Sequence, residues 1–358
     1  MVLQSTVLAV RRQLACRTLA KFERETVTDK KPSLLSLFSG CGGLDLGFHQ
    51  AGFKTALAYD KRKDSLASWG RLFPDGRPFK RDIFELSIDQ IDNDYGGIFK
   101  PAGVIGGPPC QGFSLANRYG GPNDPRNKLV HRFFDIALGL HERAPLSFLV
   151  MENVPALAGE RGKAILEQEI ARLEDHGFAT VVTILDAVDH KVPQRRKRLF
   201  LVALNKLQFA DPWTPPLRSD KQLTVSDAIR ELPNPTYYRR DLDPAMIPYH
   251  PNHWCMTPKS PKFHSGELSQ GYVSKRSFKT LSWNAPSFTA SYGNREVHVH
   301  PDCKRRLSVL EAMILQGFPK ETVLLGSLSS QVQQVSEAVP PPLAFAVAQT
   351  IIRQLPQR

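Results

Sequence analysis

The sequence predicts an α/β protein with a doubly wound parallel sheet, followed by a smaller, loop-rich region. Short apolar segments typical of strands alternate with helical segments from Ser33 to about Asn205. This alternation favours a parallel sheet covered by helices on both faces. Glycine-rich or acidic turns follow several strands, where α/β proteins bind ligands. After Asn205 the chain becomes rich in proline, histidine, aromatic and basic residues, which indicates a change of domain.

The elements follow one another in a regular order. The predicted strands are SLLSLF, KTALAYD, AGVIGG, LSFLVMENV, ATVVTILDA and RLFLVALN. The helices between them, which show apolar residues at helical spacing or end at glycine, are LDLGFHQAG, KRKDSLASWGRLF, RFFDIALGLHERAP and GKAILEQEIARLEDHGF. A helical pattern resumes in RRLSVLEAMILQGF, and VPPPLAFAVAQTIIRQL ends the chain as a helix that starts at proline.

The length of the chain and the changes of composition along it predict four segments. The chain has 358 residues, more than most single cores hold. We expect an N-terminal extension over 1–31, a large α/β domain over 32–205, a loop-rich domain over 206–285, and segments over 286–358 that return to the large domain.

Composition narrows the class of protein. There are 47 Lys and Arg against 35 Asp and Glu, a net charge of +12, which is typical of nucleic-acid-binding proteins although many basic proteins bind none. Five scattered cysteines without a CxxC motif argue against a disulfide framework or a metal site, and favour a reducing cytoplasm. Arg11 and Arg12 interrupt the apolar N-terminus, and we expect no signal peptide and no membrane-spanning segment.

Three features suggest a nucleoside ligand. The glycine turn in LFSGCGGLDLG offers helix N-terminal N–H groups to a ligand, although in many such turns glycine only permits close packing. Asp60 ends the second strand, where an acid can accept hydrogen bonds from ribose hydroxyls; the alternative is a solvated loop acid. Asp82 could accept from an adenine amino group or cap a helix. The glycine spacing is not GxGxxG, which disfavours NAD.

A second set of residues suggests covalent chemistry. Cys110 lies in VIGGPPCQGFS, a tight turn after a strand, where free N–H groups lower a thiol pKa. The alternative is a small buried hydrophobe, which two preceding prolines make less plausible. Glu152 ends an apolar strand, where a raised pKa and proton donation are expected. Arg196 and Arg198 could hold a phosphate, a carboxylate or a base carbonyl, or belong to a surface charge run.

Taken in order, these motifs resemble the DNA (cytosine-5)-methyltransferases of prokaryotic modification type. The resemblance rests on LFSGCGGLDLGF, GGPPCQGFS, PRNKLV, MENV, QRRKRLFLVA, RRLSVLEAMILQGFP and EAVPPPLA. It covers most of 33–205 and 280–355. The fold it implies is the Rossmann-like sheet of S-adenosylmethionine-dependent methyltransferases, with a smaller target recognition domain over 206–285.

The resemblance also implies residue roles. S-adenosylmethionine would be held by the residues around the glycine turn and the two acids, namely Phe38, Gly40, Gly42, Asp60, Asp82 and Pro108. The target cytosine would be flipped out of double-stranded DNA. Cys110 would attack C6 of the base and Glu152 would hold or protonate N3. Arg198 would contact O2 and position Glu152, with Arg196 close by.

Further expectations concern DNA and partners. The lid-like loop after the cysteine would contact DNA through Gln111, Ser114 and Arg126. We expect a monomer in the cytoplasm, associated with the nucleoid through DNA, with a restriction endonuclease acting on the same site as partner. Two departures from the family pattern affect the cofactor contacts. Ser336-Glu337 replaces the usual Gly-Asn, and Lys61 stands where an apolar residue usually follows the acid.

The sequence leaves two other functions open. One is the tRNA-directed branch of the family, although its own signature is absent from the target recognition region. The other is a non-catalytic DNA-binding regulator on the same scaffold. Such a relative would be expected to have lost the thiol or the acid, and both are present.

Overall fold

The computed structural model describes residues 31–109, 128–274, 277–293 and 296–355. Contacts divide the chain into Met1–Pro32 and Ser33–Arg358, and all the secondary structure given below belongs to the second unit. The predicted extension over 1–31 lies almost wholly outside the described residues. So do four of the predicted site residues, Cys110, Gln111, Ser114 and Arg126.

A seven-stranded sheet organises the second unit, in the order β3-β2-β1-β4-β5-β7-β6. Its strands are β1 Ser33–Leu37, β2 Lys54–Asp60, β3 Arg77–Lys80, β4 Gly103–Gly106, β5 Phe148–Asn153, β6 Phe178–Asp186 and β7 Lys197–Asn205. The first five in sheet order are parallel. The strand order reverses between β1 and β4, the place where open α/β sheets bind ligands at the carboxyl ends of their strands.

The predicted α/β fold with a doubly wound sheet is confirmed, but one strand departs from the parallel arrangement. β7 lies antiparallel between β5 and β6. Only residues 187–196 join β6 to β7, and they include the short 3-10 turn Ala187–His190. Parallel neighbours need a crossover of about a dozen residues or more, usually a helix, so a connection this short suits an antiparallel pair.

Helices cover both faces of the sheet. The α-helices of the described residues are α1 Gly43–Gln50, α2 Lys63–Leu72, α3 Ile88–Tyr95, α4 Lys128–Arg143, α5 Lys163–Asp175, α6 Val225–Ile229, α7 Val309–Leu315, α8 Leu328–Glu337 and α9 Pro341–Gln354, of which α6 lies in the loop-rich region after the sheet. Buried apolar clusters fill the space on either side of the strands. Three elements, α3, α8 and the edge strand β3, were not predicted, because short or largely polar segments carry little hydrophobic periodicity.

The last helix packs against the first. α9 starts at Pro341, as predicted for a helix with proline in its first turn. A Cβ at Gly47 of α1 would lie 2.4 Å from the Cβ of Ala344, so only glycine permits this approach. The C-terminal segment thereby becomes part of the layer that covers β1 and supports the turn after it.

Residues 206–285 contain little regular structure. Besides α6 they hold β8 Thr236–Tyr237 and β9 Trp254–Cys255, two short strands that pair in parallel. The Trp254 indole N–H donates to the side-chain oxygen of Gln331 on α8 at 2.9 Å, which joins this region to the C-terminal helices. The predicted domain boundaries at 206 and 285 remain predictions.

The expectation that no segment reaches membrane-spanning length needs correction. Leu328–Gln354 is long and apolar enough by composition, with a mean hydropathy of 1.2. The stretch comprises α8 and α9 and is interrupted by the extended residues Ala338 and Pro340. More than half of its most apolar part (56%) is buried inside the protein, as expected of core helices.

Candidate active site

The ends of β1, β2, β4 and β5 surround two adjoining cavities. The smaller has a volume of about 70 Å³ and the larger about 450 Å³, the size of a small-molecule site. Both are lined by residues from different parts of the chain, namely Phe38, Asp60, Arg62, Glu152 and Glu337. The topology therefore brings the predicted nucleoside residues and the predicted catalytic acid to the same place.

The predicted glycine turn forms the floor of the smaller cavity. Phe38, Gly40 and Gly42 all have positive φ, at 56°, 54° and 90°. A Cβ at Gly42 would lie 2.7 Å from the ring of Phe73, so glycine is required there. At Gly40, by contrast, no described atom lies within 4 Å of a Cβ position, which leaves this backbone open to a ligand.

Asp60 is held rigidly beside that turn. Its Oδ2 accepts a hydrogen bond from the Gly40 N–H at 3.0 Å, and its Oδ1 accepts one from the Arg62 N–H at 2.8 Å. Each carboxylate oxygen has a second lone-pair direction, so the group can still accept hydrogen bonds from hydroxyls. Asp60 therefore has the geometry predicted for a ribose contact, and that role stays a prediction.

Asp82 lines the larger cavity. Its Oδ1 accepts the backbone N–H of Phe84 at 3.0 Å, so the carboxylate caps its own turn, between β3 and α3. Asp82 is not the N-cap of α3, because Ser87 has that position. The alternative role as a helix cap is thus wrong, and acceptance from an adenine amino group stays a prediction.

Glu152 lies at the end of β5 and is 8% exposed. Its Oε1 is 2.8 Å from Nε of Arg198, near the start of β7, the strand that pairs with β5. A Cβ at Gly107 would lie only 3.1 Å from Oε2, so a larger residue there would crowd the carboxylate. Burial raises the pKa of the Glu152 carboxyl, and the charges of Arg198 and Arg196 offset part of that rise.

Arg196 lies two residues before Arg198 but in a different environment. Its guanidinium is 1% exposed and donates hydrogen bonds to the carbonyl oxygens of Ala290 and Ser336, each at 2.8 Å. Arg196 therefore links the start of β7 to Ser336 near the end of α8 and to Ala290, which lies between the loop-rich region and α7. Neither arginine belongs to a solvated surface charge run, so that alternative is wrong.

Pro108 precedes the predicted nucleophile and lines the larger cavity. The side-chain N–H of Asn153 donates to its carbonyl oxygen at 3.1 Å. This bond fixes the Pro-Pro turn against the end of β5, next to Glu152. Asn153 belongs to the MENV motif, but the sequence predicts no role for it, because its partner is 45 residues away.

An ion pair that the sequence did not predict lies at the cavity wall. Arg62, which precedes α2, pairs with Glu337 at the end of α8. In the sequence, this contact was indicated only by Ser336-Glu337, which departs from the family pattern. The structure gives both residues a partner. The Ser336 carbonyl is bound by Arg196, and the Glu337 carboxylate by Arg62.

The residues present fit S-adenosylmethionine. Asp60 and Asp82 supply acceptors for the donors of a ribose and an adenine. Gly40 exposes backbone to the cavity, and the Ser39 hydroxyl there is buried without a partner among the described residues. Apolar side chains line the larger cavity beside the acids, which suits an aromatic base; they include Phe38, Ile83, Phe84, Pro108 and Leu129.

Comparisons with known proteins identify the family of the chain. The profile of the family "C-5 cytosine-specific DNA methylase" matches residues 33–353, and the chain belongs to this family. It is accordingly a DNA (cytosine-5)-methyltransferase, an enzyme that takes the methyl group from S-adenosylmethionine and acts on DNA.

Relatives span almost the whole chain. The type II methyltransferase M.MthTI of Methanothermobacter thermautotrophicus is 32% identical over 349 residues, with 90% of this chain and 97% of the relative covered. M.FnuDI of Fusobacterium nucleatum is 28% identical over 348 residues, with 89% and 93% covered.

Solved structures agree in fold. The crystal structure of a prophage-encoded DNA modification methyltransferase of E. coli matches with a TM-score of 0.74 at 20% identity, covering 90% of this chain and 99% of that one. EhMeth of Entamoeba histolytica matches with a TM-score of 0.64 at 16% identity, covering 90% and 98%.

Proposed function

We propose that this enzyme methylates C5 of a cytosine in a defined DNA sequence, through a covalent bond between Cys110 and C6 of the flipped-out base. The observation that carries the proposal is the buried Glu152–Arg198 pair, which faces the same cavity as Asp60, Asp82 and Phe38. A proton donor and a nucleoside site in one cavity suit group transfer to a base.

In this mechanism the thiolate of Cys110 adds to C6. As the C5–C6 π bond breaks, its electron pair forms a double bond between C4 and C5, the C4–N3 π pair moves to N3, and Glu152 donates its proton to N3. Arg198 holds the Glu152 carboxyl in place and donates to O2 of the base. S-adenosylmethionine, when bound, supplies the methyl group that C5 takes. Water then takes the C5 proton, the electron pair of the C5–H bond restores the C5–C6 double bond and expels the thiolate, and N3 returns its proton to Glu152.

We infer that residues 206–285 read the DNA sequence. The region is loop-rich and exposes large side chains, among them Tyr237, Met246 and Tyr249. Loops with aromatic and basic residues suit contacts with base edges in the major groove. Replacing 206–285 by the corresponding segment of a relative that methylates a different sequence should transfer that relative's sequence preference. An unchanged sequence would refute this assignment.

The proposed biological setting is a restriction-modification system, because the relatives named above are type II methyltransferases. We propose a monomer that acts in the cytoplasm on nucleoid DNA, with a cognate restriction endonuclease that cuts the same sequence. Plasmid DNA methylated by this enzyme should resist that endonuclease, whereas plasmid treated with Cys110→Ser should be cut.

The first experiment is transfer of radiolabelled methyl from S-adenosylmethionine to plasmid DNA and, in parallel, to total tRNA. Bisulfite sequencing of the DNA then locates the modified cytosines. We expect label on DNA at one recurring sequence. Glu152→Gln should lower the rate by roughly 10²- to 10⁴-fold, the usual contribution of a positioned proton donor. Label on tRNA alone would overturn the DNA proposal.

A trapping experiment tests the covalent step separately. In the presence of S-adenosylmethionine, a duplex with 5-fluorocytosine at the methylated position should form a stable adduct with the wild-type enzyme, because after methyl transfer fluorine cannot leave C5 as the proton does. Cys110→Ser should form none. An adduct of equal yield with the serine variant would exclude Cys110 as the nucleophile.

A further inference from the structure

Asp60, the predicted ribose acceptor, has a basic neighbour that competes for its oxygens. Nε of Arg62 lies 3.9 Å from Oδ1 of Asp60, and the Arg62 N–H already donates to that oxygen at 2.8 Å. A guanidinium is a planar donor that readily pairs with a carboxylate through two parallel hydrogen bonds. Such a pair would fill the acceptor positions that ribose hydroxyls need.

The structure shows the Arg62 side chain turned to a different acid. At 3.9 Å, its Nε is too far from Asp60 for a hydrogen bond. Its Nη2 pairs instead with Oε2 of Glu337, the last residue of α8. The guanidinium is therefore held between two carboxylates, and only the one on α8 is bonded to it.

Glu337 is itself fixed in position. Its other oxygen, Oε1, accepts a hydrogen bond at 2.9 Å from the side-chain N–H of Gln333, one turn earlier in α8. Both oxygens of the carboxylate are thus engaged, one by its own helix and one by Arg62. The acid is therefore placed to keep the guanidinium at the helix end.

The location of the ion pair indicates a function in the site rather than in stability. The side chains of Arg62 and Glu337 are 29% and 43% exposed, and ion pairs this exposed contribute little to folding. Yet both residues, like Asp60, line both cavities. The pair therefore lies where the two cavities adjoin, beside the predicted ribose contact.

We propose that Glu337 keeps Asp60 available to the ribose of the cofactor by holding the Arg62 guanidinium away from it. Glu337 is then a positioning residue, because it acts on cofactor binding through Arg62. When the charge at position 337 is removed, Arg62 pairs with Asp60 and excludes the ribose hydroxyls. The inference rests on the proposed nucleoside site and extends it to the end of α8.

Calorimetric titration of the full chain with S-adenosylhomocysteine tests the proposal. Glu337→Gln keeps the size of the side chain and removes its charge. The dissociation constant should rise at least about 10-fold, because hydrogen bonds to a charged group contribute that much or more. The matched control is Glu167→Gln, which neutralises the acid of the exposed Lys163–Glu167 pair outside the lining of both cavities. Its dissociation constant should stay within about twofold of wild type.

A second substitution shows whether the effect passes through Arg62. Arg62→Met removes the competing guanidinium, so the double variant Arg62→Met/Glu337→Gln should bind S-adenosylhomocysteine within about threefold of wild type, and so should Arg62→Met alone. A purely structural role of the ion pair predicts the opposite, because the double variant would then bind no better than Glu337→Gln.

A ligand analogue shows whether the effect is at the ribose. The 2′,3′-dideoxy analogue of S-adenosylhomocysteine lacks both hydroxyls and gains nothing from Asp60. It should bind wild type more weakly than the parent compound does, and bind Glu337→Gln and wild type with affinities within about twofold of each other. General damage to the cavity would weaken both ligands alike.

Each of three results would overturn the proposal. They are unchanged affinity in Glu337→Gln, a loss of affinity that Arg62→Met does not restore, and an equal loss for the parent compound and the dideoxy analogue. Wild-type protein that fails to bind S-adenosylhomocysteine, or that binds the analogue equally well, would instead contradict the proposed nucleoside site itself.

Discussion

Arg62 and Glu337, 275 residues apart in the chain, form an ion pair at the wall of the candidate cofactor cavity. Glu337 is the last residue of α8, where the negative end of the helix dipole disfavours a carboxylate. Arg62 offsets that unfavourable charge. The pair also joins the start of α2 to the end of α8, two elements that border the cavity from opposite ends of the chain.

The ion pair predicts an asymmetric mutational effect on stability. Arg62→Met should lower the free energy of unfolding by up to about 1 kcal/mol, because it leaves Glu337 uncompensated at the helix end. Glu337→Gln should change it by less than about 0.5 kcal/mol. A double-mutant cycle, measured by urea unfolding, should give a coupling that shrinks as salt is added. Equal losses for the two single variants would contradict this account.

Removing Arg198 should affect both stability and catalysis. Arg198→Ala leaves the Glu152 carboxylate buried without its ion-pair partner, so the melting temperature should fall and methyl transfer should slow by at least about 10²-fold. The matched control is Lys163→Ala, which removes one member of the exposed Lys163–Glu167 pair on α5. Lys163→Ala should match wild type in melting temperature and in methyl-transfer rate. If it loses as much of both as Arg198→Ala does, Arg198 has no specific role in catalysis.

Burial of Glu152 predicts a pH-dependent stability difference. The folded state raises the pKa of this carboxyl above its ordinary value of 4.5, so it binds the proton more tightly than the unfolded state. The stabilisation from this group is therefore complete below about pH 4.5 and is lost as pH rises through the raised pKa.

The Glu152→Gln variant lacks this titration. Its free energy of unfolding relative to wild type should increase from pH 4.5 towards neutrality, by about 1.4 kcal/mol for each unit by which the pKa is raised. Chemical denaturation at several pH values measures the difference. A difference that is constant with pH, or that falls, would show that the folded state does not raise this pKa.

Asn153 should affect the rate of methyl transfer, because its side chain holds the Pro108 carbonyl in the turn that precedes Cys110. Asn153→Ala removes the donor to the Pro108 carbonyl and the acceptor for the Val154 N–H, and we expect a loss of about 1–3 kcal/mol in stability. Methyl transfer, measured where the variant is folded, should fall at least about 10-fold because the nucleophile loses its position. Binding of S-adenosylhomocysteine should weaken less than methyl transfer slows, because Pro108 is only one of the predicted cofactor contacts.

Asn205 offers a control with the same bonding pattern. Its side chain donates to the Leu146 carbonyl and accepts from the Leu207 N–H, and it is likewise buried. Asn205→Ala should cost comparable stability yet keep the methyl-transfer rate. If both variants slow transfer equally, the effect of Asn153 is on folding alone.

Much of the fold was predictable because its signals are local. Apolar strands of four to nine residues and helices with apolar residues at regular spacing show themselves in any short window. The glycine turn and the proline-started last helix follow from backbone geometry that only these residues favour. The antiparallel β7 was missed, although the short 187–196 connection carried the information, because alternation alone suggested a further crossover.

The sequence by itself determined the family, the residues with reactive side chains and the order of strands and helices, because these depend on residue type and near neighbours. Only the tertiary structure decided which distant residues meet. It bound Asn153 to the Pro108 carbonyl and Arg196 to two backbone carbonyls, and it brought Arg62 to Glu337, whereas the contact between Glu152 and Arg198 was already expected from the family resemblance. Such contacts depend on sheet order and helix packing, which bring together segments that no local pattern relates.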